Sequence, residues 1–269
     1  MERGSGRFGA GAAAIAFSAA ALVAAAVVLV FHPFDPAAPR SVGTTSIPSG
    51  PTTGSGNEIA PPQPPAPTDR LVAEAVGEDL EVFDAPGATV PSRVLRRADE
   101  ASGHLVLLVR TPPRDDGWLE VELAVRPNGS LGWVRSDDVS LATTPFRIEI
   151  RLGAHSLRVL EGDDVVVEAP LGIGAEAPPL PGDYFLRELL APDEPFGDYG
   201  PLAYALSGYA LSPTSVLGGD GRLALHGTSN PTDLLVDGGP GSLRVTNDVI
   251  TYLARTVGPP LGTPVTIIP

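Results

Sequence analysis

The chain has 269 residues, with 18 basic and 32 acidic side chains and a formal net charge of −14 at pH 7. It contains no cysteine and no lysine, which excludes disulfides, thiolate metal sites, thiol nucleophiles, Schiff bases and Ser-Lys mechanisms. The acidic balance argues against nucleic-acid binding, which needs a basic face to neutralise phosphate.

The amino-terminal region is apolar and uncharged over an unusual length. Arg3 and Arg7 precede residues 9–31, which carry no charge and are long enough to cross the hydrocarbon core as a helix. The preceding arginines predict a short cytoplasmic amino terminus, 1–8, and place the rest of the chain outside the cytoplasm. We therefore expect a single-pass cell-membrane anchor at 9–31, or a secreted protein if this segment is cleaved.

Residues 32–69 are rich in proline, serine, threonine and glycine and poor in large apolar side chains. Such a composition cannot bury enough surface to offset the entropy lost on ordering. The pattern predicts a disordered linker that gives the folded part reach from the membrane.

Residues 70–144 show short alternating runs separated by turn signals. Asn128-Gly129 between two β-rich runs is a strong hairpin signal. Trp118 and Trp133 each follow a glycine and are interpreted as core or barrel-rim aromatics. The region is predicted to form a small antiparallel β-barrel.

Residues 145–269 contain further β-type runs, with strands expected around Ile148–Leu152, Leu157–Leu160 and Val165–Ala169 and others up to the closing "TPVTII". One helix is predicted over Asp248–Val257, because its apolar residues share one face. Asn247 is expected to cap it, and Gly258 with two prolines to end it. The fold class is therefore mostly β, with two domains and one main helix.

Few residues can supply chemistry once thiols and amines are absent. The histidines lack metal-ligand spacing, so no metal site and no cofactor are predicted; they are His32, His104, His155 and His226. His226 ends the apolar run "RLALH", and Ser242 follows a glycine turn in "GGPGSLRVTND". On these features alone, His226 is either a buried structural histidine or a catalytic group.

The motifs of this region resemble those of one known family. "LALHGTSNP" resembles the His-Gly-Thr-Asn element of the L,D-transpeptidase (YkuD-type) catalytic domain, and "GPGSLRVTND" resembles its Ser-His-Gly-Cys-Ile-Arg element. Ser242 follows His226 by 16 positions, as in many members. "WLEVELAVRPNGSLGWVRSDDVSL" resembles the SH3-like module that precedes this domain in related proteins. The resemblance implies an SH3-like β module at 70–144 and a YkuD-type β-sandwich at 145–269.

The resemblance also implies roles for individual residues. In the family a cysteine attacks a peptidoglycan stem peptide, and the histidine two positions earlier is its base. Ser242 occupies the cysteine position and Pro240 the base position, while His226 is retained as a candidate catalytic residue. Residues implied in substrate binding are Gly227, Thr228, Gly241, Arg244 and Asn247. Because a serine hydroxyl needs an adjacent base, the joint replacement points to lost chemistry.

The leading hypothesis is a catalytically degenerate L,D-transpeptidase-family protein of the cell wall. It would bind peptidoglycan stem peptides or a wall-synthesis protein, touch the membrane only through its amino-terminal helix, and bind no nucleic acid. Two alternatives stay open: an active acyltransferase or carboxypeptidase that uses Ser242 with His226, and a purely structural protein-interaction module.

Overall fold

The computed structural model describes residues 69–111, 113–175, 178–195, 197–211, 221–238 and 243–269. All of them lie within one unit, Ala60–Pro269. Across these described ranges, no helix has the length and apolar character needed to cross a membrane. The predicted membrane segment at 9–31 and the predicted linker up to residue 68 lie outside the described residues.

The first half of the described chain forms an antiparallel sheet and a separate hairpin. Its strands are β1 Arg70–Ala75, β2 Asp79–Val82, β3 Arg93–Arg96, β4 Val106–Val109, β5 Trp118–Glu122, β6 Leu131–Arg135 and β7 Val139–Thr144. The five-stranded sheet has the order β6-β5-β4-β1-β7, and β2 pairs with β3. A bridge between Phe83 and Trp133 connects the hairpin to the edge of the sheet. The Asn128-Gly129 turn joins β5 to β6, which confirms the predicted hairpin.

The second half forms one nine-stranded sheet. Its strands are β8 Phe146–Arg151, β9 Ser156–Glu161, β10 Asp164–Pro170, β11 Gly172–Ile173, β12 Gly182–Leu190, β13 Ala203–Tyr209, β14 Arg222–Thr228, β15 Leu243–Thr246 and β16 Pro264–Ile268. Their order is β10-β9-β8-β16-β12-β13-β14-β15-β11. The pairs β14–β15 and β16–β8 are parallel. The prediction of a mostly β fold is confirmed.

Alternating side chains explain why these segments form strands. In β8, Ile148 and Ile150 are fully buried, whereas Glu149 between them is only partly buried. In β13 every residue is buried, because the strand lies in the interior of the sheet and is covered on both faces. β14 is nearly as enclosed, so its carboxyl end carries His226 into the protein interior.

Among the residues that the structure describes there is one α-helix, α1, which spans Asn247–Tyr252 and continues as a π-helical turn over Leu253–Val257. The predicted cap was wrong by one residue. Thr246 is the N-cap, because its hydroxyl accepts a hydrogen bond from the Val249 amide, and Asn247 is already helical. Gly258 ends the helix in the left-handed conformation with φ 63°, as its position in the sequence predicts.

The two halves share side chains across their boundary. Phe185 of β12, in the second sheet, is fully buried within the apolar core of the first sheet. Two residues further along, Arg187 forms a buried ion pair with Glu100. The predicted division at 144/145 therefore separates two sheets that pack through a common apolar and ionic contact.

Candidate functional site

The candidate site forms where β14 ends beside β15. His226 and Arg244 occupy paired positions on these parallel strands, and neither side chain is exposed to solvent. Gly227 and Thr228 pair with Val245 and Thr246, so the "HGT" motif runs alongside the start of the helix. The sheet topology thus brings together two motifs that lie far apart in the sequence.

His226 is a buried neutral imidazole. Its Nδ1 donates a hydrogen bond to the Gly227 carbonyl at 2.9 Å, which leaves the lone pair on Nε2. Nε2 is buried and has no hydrogen-bond partner among the described residues. The Tyr199 ring packs edge-on against the imidazole at 5.0 Å between centroids.

Burial determines the protonation of His226. It lowers the pKa of the imidazole to about 4, because the charged form loses its hydration. The hydrogen bond to the Gly227 carbonyl opposes this shift, and the nearby charge of Arg244 adds to it. His226 is therefore neutral at pH 7 and is a weaker base than an ordinary histidine.

Gly227 permits a close approach of the helix to the strand. A Cβ atom at position 227 would lie 2.4 Å from Asn247 Oδ1, and one at position 200 would lie 2.3 Å from the same oxygen. Both distances are shorter than real Cβ contacts. The Asn247 side chain thus packs against the backbone next to His226 and supports that strand.

Thr228 organises the turn that follows β14. Its hydroxyl accepts a hydrogen bond from the Asn230 amide at 3.1 Å and donates one to Asp233 Oδ2 at 3.3 Å. The Asn230 side chain donates to the other carboxylate oxygen of Asp233 at 2.9 Å. Thr228 is 6% exposed, so it stabilises the turn from the buried side.

The buried side chain of Arg244 stabilises the loop that follows β14. Its Nη2 donates to the carbonyls of Ile173, at 3.3 Å, and of Asp233, at 3.2 Å, and also to the Gly238 carbonyl. Burial lowers the pKa of the guanidinium, and the Asp233 charge opposes that effect. The guanidinium therefore donates to main-chain carbonyls of the loop.

The close packing around Arg244 also requires Gly172. A Cβ atom there would lie 2.0 Å from the Asp233 carbonyl oxygen and 3.1 Å from Arg244 Nη2. The loop is further fixed by main-chain hydrogen bonds from Ile173 to Val236 and from Gly238 to Ile173. The segment Asp233–Gly238 therefore pairs with β11 as an extension of the sheet edge.

Five of the predicted site residues are brought together: His226, Gly227, Thr228, Arg244 and Asn247. The other two, Ser242 and Gly241, lie outside the described residues, as do Pro240 and Gly239. Their assigned roles stay predictions. Within the described ranges, no group of three histidine or carboxylate side chains is placed to hold a metal ion.

Sequence reasoning missed three contributors to this site. Tyr199 packs on His226, Asp233 ties Thr228 to its turn, and Gly172 makes room for the loop. Asp233 could have been found, because an acidic residue shortly after "GTSN" is typical of turns stabilised by side-chain hydrogen bonds. Tyr199 and Gly172 carry no local signal, since their contacts are made across the sheet.

No family model matches the chain. A curated relative, the putative L,D-transpeptidase YkuD of Bacillus licheniformis, is 29% identical over 184 residues. That match covers 68% of this chain and 96% of the relative.

Among solved structures, the L,D-transpeptidase of Xylanimonas cellulosilytica (residues 123–326) is 20% identical with a TM-score of 0.35, covering 46% of this chain and 60% of that one. Bd1075 of Bdellovibrio bacteriovorus is 31% identical with a TM-score of 0.35, covering 46% and 48%. An L,D-transpeptidase from Mycobacterium smegmatis is 13% identical with a TM-score of 0.37, covering 61% and 90%. The chain thus spans less than two thirds of the first two structures.

These three TM-scores lie below 0.5, so the comparison rests on the sequence relative. At 29% identity over 68% of the chain, that relative is a similarity to YkuD-type L,D-transpeptidases and agrees with the resemblance of the sequence motifs.

Proposed function

We propose that this chain is a peptidoglycan-binding protein of the L,D-transpeptidase family that has lost acyl transfer. The observation that carries the proposal is the state of His226. It is the one histidine of the described site, and burial makes it neutral and weakly basic. The sequence places serine at the family's thiol position and proline at the position of the thiol's base.

The chemistry of a serine nucleophile sets the requirement. A serine hydroxyl is far less acidic than a thiol and must pass its proton to an adjacent base. General-base catalysis is most effective when the pKa of the base lies near the working pH. A base with a pKa of about 4 accepts a proton only weakly at pH 7, and no lysine is present to replace it.

The loop after β14 supplies a surface for binding. Arg244 and Thr228 hold the segment Asp233–Gly238 in place, which reduces the entropy lost when a ligand binds it. Leu235 and Val236 on this segment are 60% and 44% exposed. Apolar side chains on a fixed loop suit the alanine side chains of a stem peptide.

The remaining parts of the proposal concern location and partners. The uncharged segment 9–31 would anchor the protein in the cell membrane, and residues 32–69 would extend the folded part towards the wall. The partner would be peptidoglycan stem peptides or a wall-synthesis protein.

Binding to purified sacculi tests the proposal. The full chain should co-sediment with sacculi in a saturable manner. Leu235 has φ 59°, a left-handed conformation that asparagine tolerates better than leucine, so Leu235→Asn removes the apolar side chain without straining the turn. This variant should bind more weakly, whereas Val76→Asn, at a similarly exposed position directly after β1, should bind as the wild type does. Absence of saturable binding would favour a purely structural interaction module.

One observation favours a second candidate, an active acyltransferase or carboxypeptidase. His226 Nε2 is buried but keeps a lone pair to which no described residue donates a hydrogen bond. Incubation with muropeptides that carry tetrapeptide stems would reveal this activity as released D-alanine or new cross-links. Turnover that disappears in Ser242→Ala would replace the first proposal with the second.

A further inference from the structure

A cavity of about 350 Å³ lies between the β2–β3 hairpin and the second sheet, away from His226. Its wall contains four arginines and two acids: Arg93, Arg96, Arg187, Arg222, Asp99 and Glu100. The whole chain has nearly two acidic side chains for each basic one. The lining of the cavity therefore contains more arginines than acids, unlike the chain as a whole.

The floor of the cavity is rigid. Arg187 donates to both carboxylate oxygens of Glu100, at 2.7 and 2.5 Å, and to the Tyr209 hydroxyl at 3.0 Å. The Tyr209 hydroxyl in turn donates to the Ala124 carbonyl at 3.0 Å. The Arg187 side chain is 8% exposed, so the ion pair is fixed by packing as well as by hydrogen bonds.

A second arginine is held beside the floor. Arg222 Nη1 lies 2.7 Å from Glu188 Oε2, and the Glu188 side chain is 1% exposed. Glu100 and Glu188 are thus each paired with one arginine. These two acids do not neutralise the arginines on the opposite wall.

The opposite wall comes from β3 and carries two exposed cations. Arg93 forms no ion pair with any described residue. Arg96 lies 4.0 Å from Asp79, with both side chains more than 60% exposed, an arrangement that contributes little. Asp99 offsets one of these two charges. The mouth of the cavity therefore keeps guanidinium groups that a ligand can engage.

The rest of the lining is apolar. Val94, Leu95 and Val125 form part of the wall, and the volume is within the range of small-molecule sites. Guanidinium groups recognise carboxylates through paired hydrogen bonds, and an apolar wall favours an organic anion over an inorganic one. We propose that this cavity binds a small organic carboxylate, for which an acylated dipeptide with a free carboxyl terminus is a suitable probe. This goes beyond the proposed wall-binding loop and does not depend on it.

Calorimetric titration of the full chain with N-acetyl-dialanine, its carboxamide and inorganic phosphate tests the proposal. The dipeptide acid should bind, and its binding should weaken as salt is added. The neutral carboxamide should bind about tenfold more weakly, as expected for loss of a charge-assisted hydrogen bond. Phosphate should also bind more weakly, because it cannot use the apolar wall.

Matched variants locate the site. Arg93→Gln and Arg96→Gln should each weaken binding of the acid by about tenfold without changing binding of the carboxamide. Arg255→Gln, an exposed arginine on the helix segment, should bind as the wild type does. Absence of binding, equal affinity for acid, carboxamide and phosphate, or equal affinity in all three variants would overturn the proposal. Because the substituted side chains are exposed, thermal unfolding should show that each variant remains folded.

Discussion

Arg244 lies opposite His226 in the register of β14 and β15, yet its guanidinium donates to main-chain carbonyls of the neighbouring loop. His226 and Arg244 therefore play different structural roles in one buried site. His226 keeps an unpartnered ring nitrogen, and Arg244 fixes the loop that follows the histidine strand. Burial thus lowers the basicity of His226, while Arg244 holds the neighbouring loop in place.

Replacement of Arg244 should destabilise the protein. Arg244→Gln removes donors from buried carbonyls, and we expect a loss of about 3 kcal/mol in the free energy of unfolding. Urea denaturation measures it. Arg255→Gln, at an exposed position, should change the free energy by less than about 0.5 kcal/mol. Equal stability of the two variants would show that Arg244 does not hold the loop.

His226 should remain neutral far below the ordinary pKa of histidine. NMR titration of its imidazole should give a pKa of about 4. Since this value is lower in the folded than in the unfolded state, the associated stability is present above pH 6.5 and is lost as the pH falls through 4. His226→Gln should remove that part of the acid sensitivity. A midpoint near 6.5 would contradict the burial of the ring.

Ionisation of Glu122 should make the protein less stable as the pH rises, the opposite of the pH dependence expected for His226. Burial raises the pKa of this carboxyl to about 7, although Arg110 Nη1 lies 3.3 Å from it. The folded state binds the proton more tightly than the unfolded state, so stability falls as the pH rises from about 4.5 to 7. Glu122→Gln should remove this loss, which amounts to roughly 3 kcal/mol at most.

Denaturation midpoints across this pH range provide the measurement for Glu122. Glu120→Gln, on the same strand, serves as the matched control and should keep the pH dependence of the wild type. A Glu122→Gln variant with an unchanged slope would mean that Glu122 is solvated.

Gly227 should not tolerate a side chain. Gly227→Ala places a Cβ atom 2.4 Å from Asn247 Oδ1 and 3.0 Å from Ile250 Cγ2, so these helix side chains must move away from the strand. We expect a loss of about 2 kcal/mol by thermal or urea unfolding, typical of overpacking. At Gly153 the nearest atom would be 3.8 Å away, so Gly153→Ala should be close to neutral. Similar values for the two variants would contradict the packing.

Much of the fold could be predicted from local pattern. Alternation at Ile148 and Ile150 identified β8, and the Asn128-Gly129 turn identified a hairpin. The helix was also found, but its cap was placed on Asn247 because Asn and Thr are both good caps and adjacent in the sequence. Only the hydrogen bond from the Val249 amide to Thr246 distinguishes them.

The contacts that join distant segments could not be predicted. Glu100 and Arg187 are separated by 87 positions, and nothing near either residue marks a buried ion pair. Phe185 lies in a strand of the second sheet but packs in the core of the first. The carbonyl partners of Arg244 were likewise invisible, because they depend on how the loop folds back on β11.

If the chain has lost acyl transfer, as we propose, a β-lactam that acylates an active-site nucleophile should leave it unmodified. Intact-protein mass spectrometry after incubation with a carbapenem tests this proposal most directly, because an acylated serine would add the mass of the drug. We expect the mass of the full chain to stay unchanged. An adduct on Ser242 that is absent from Ser242→Ala would contradict it.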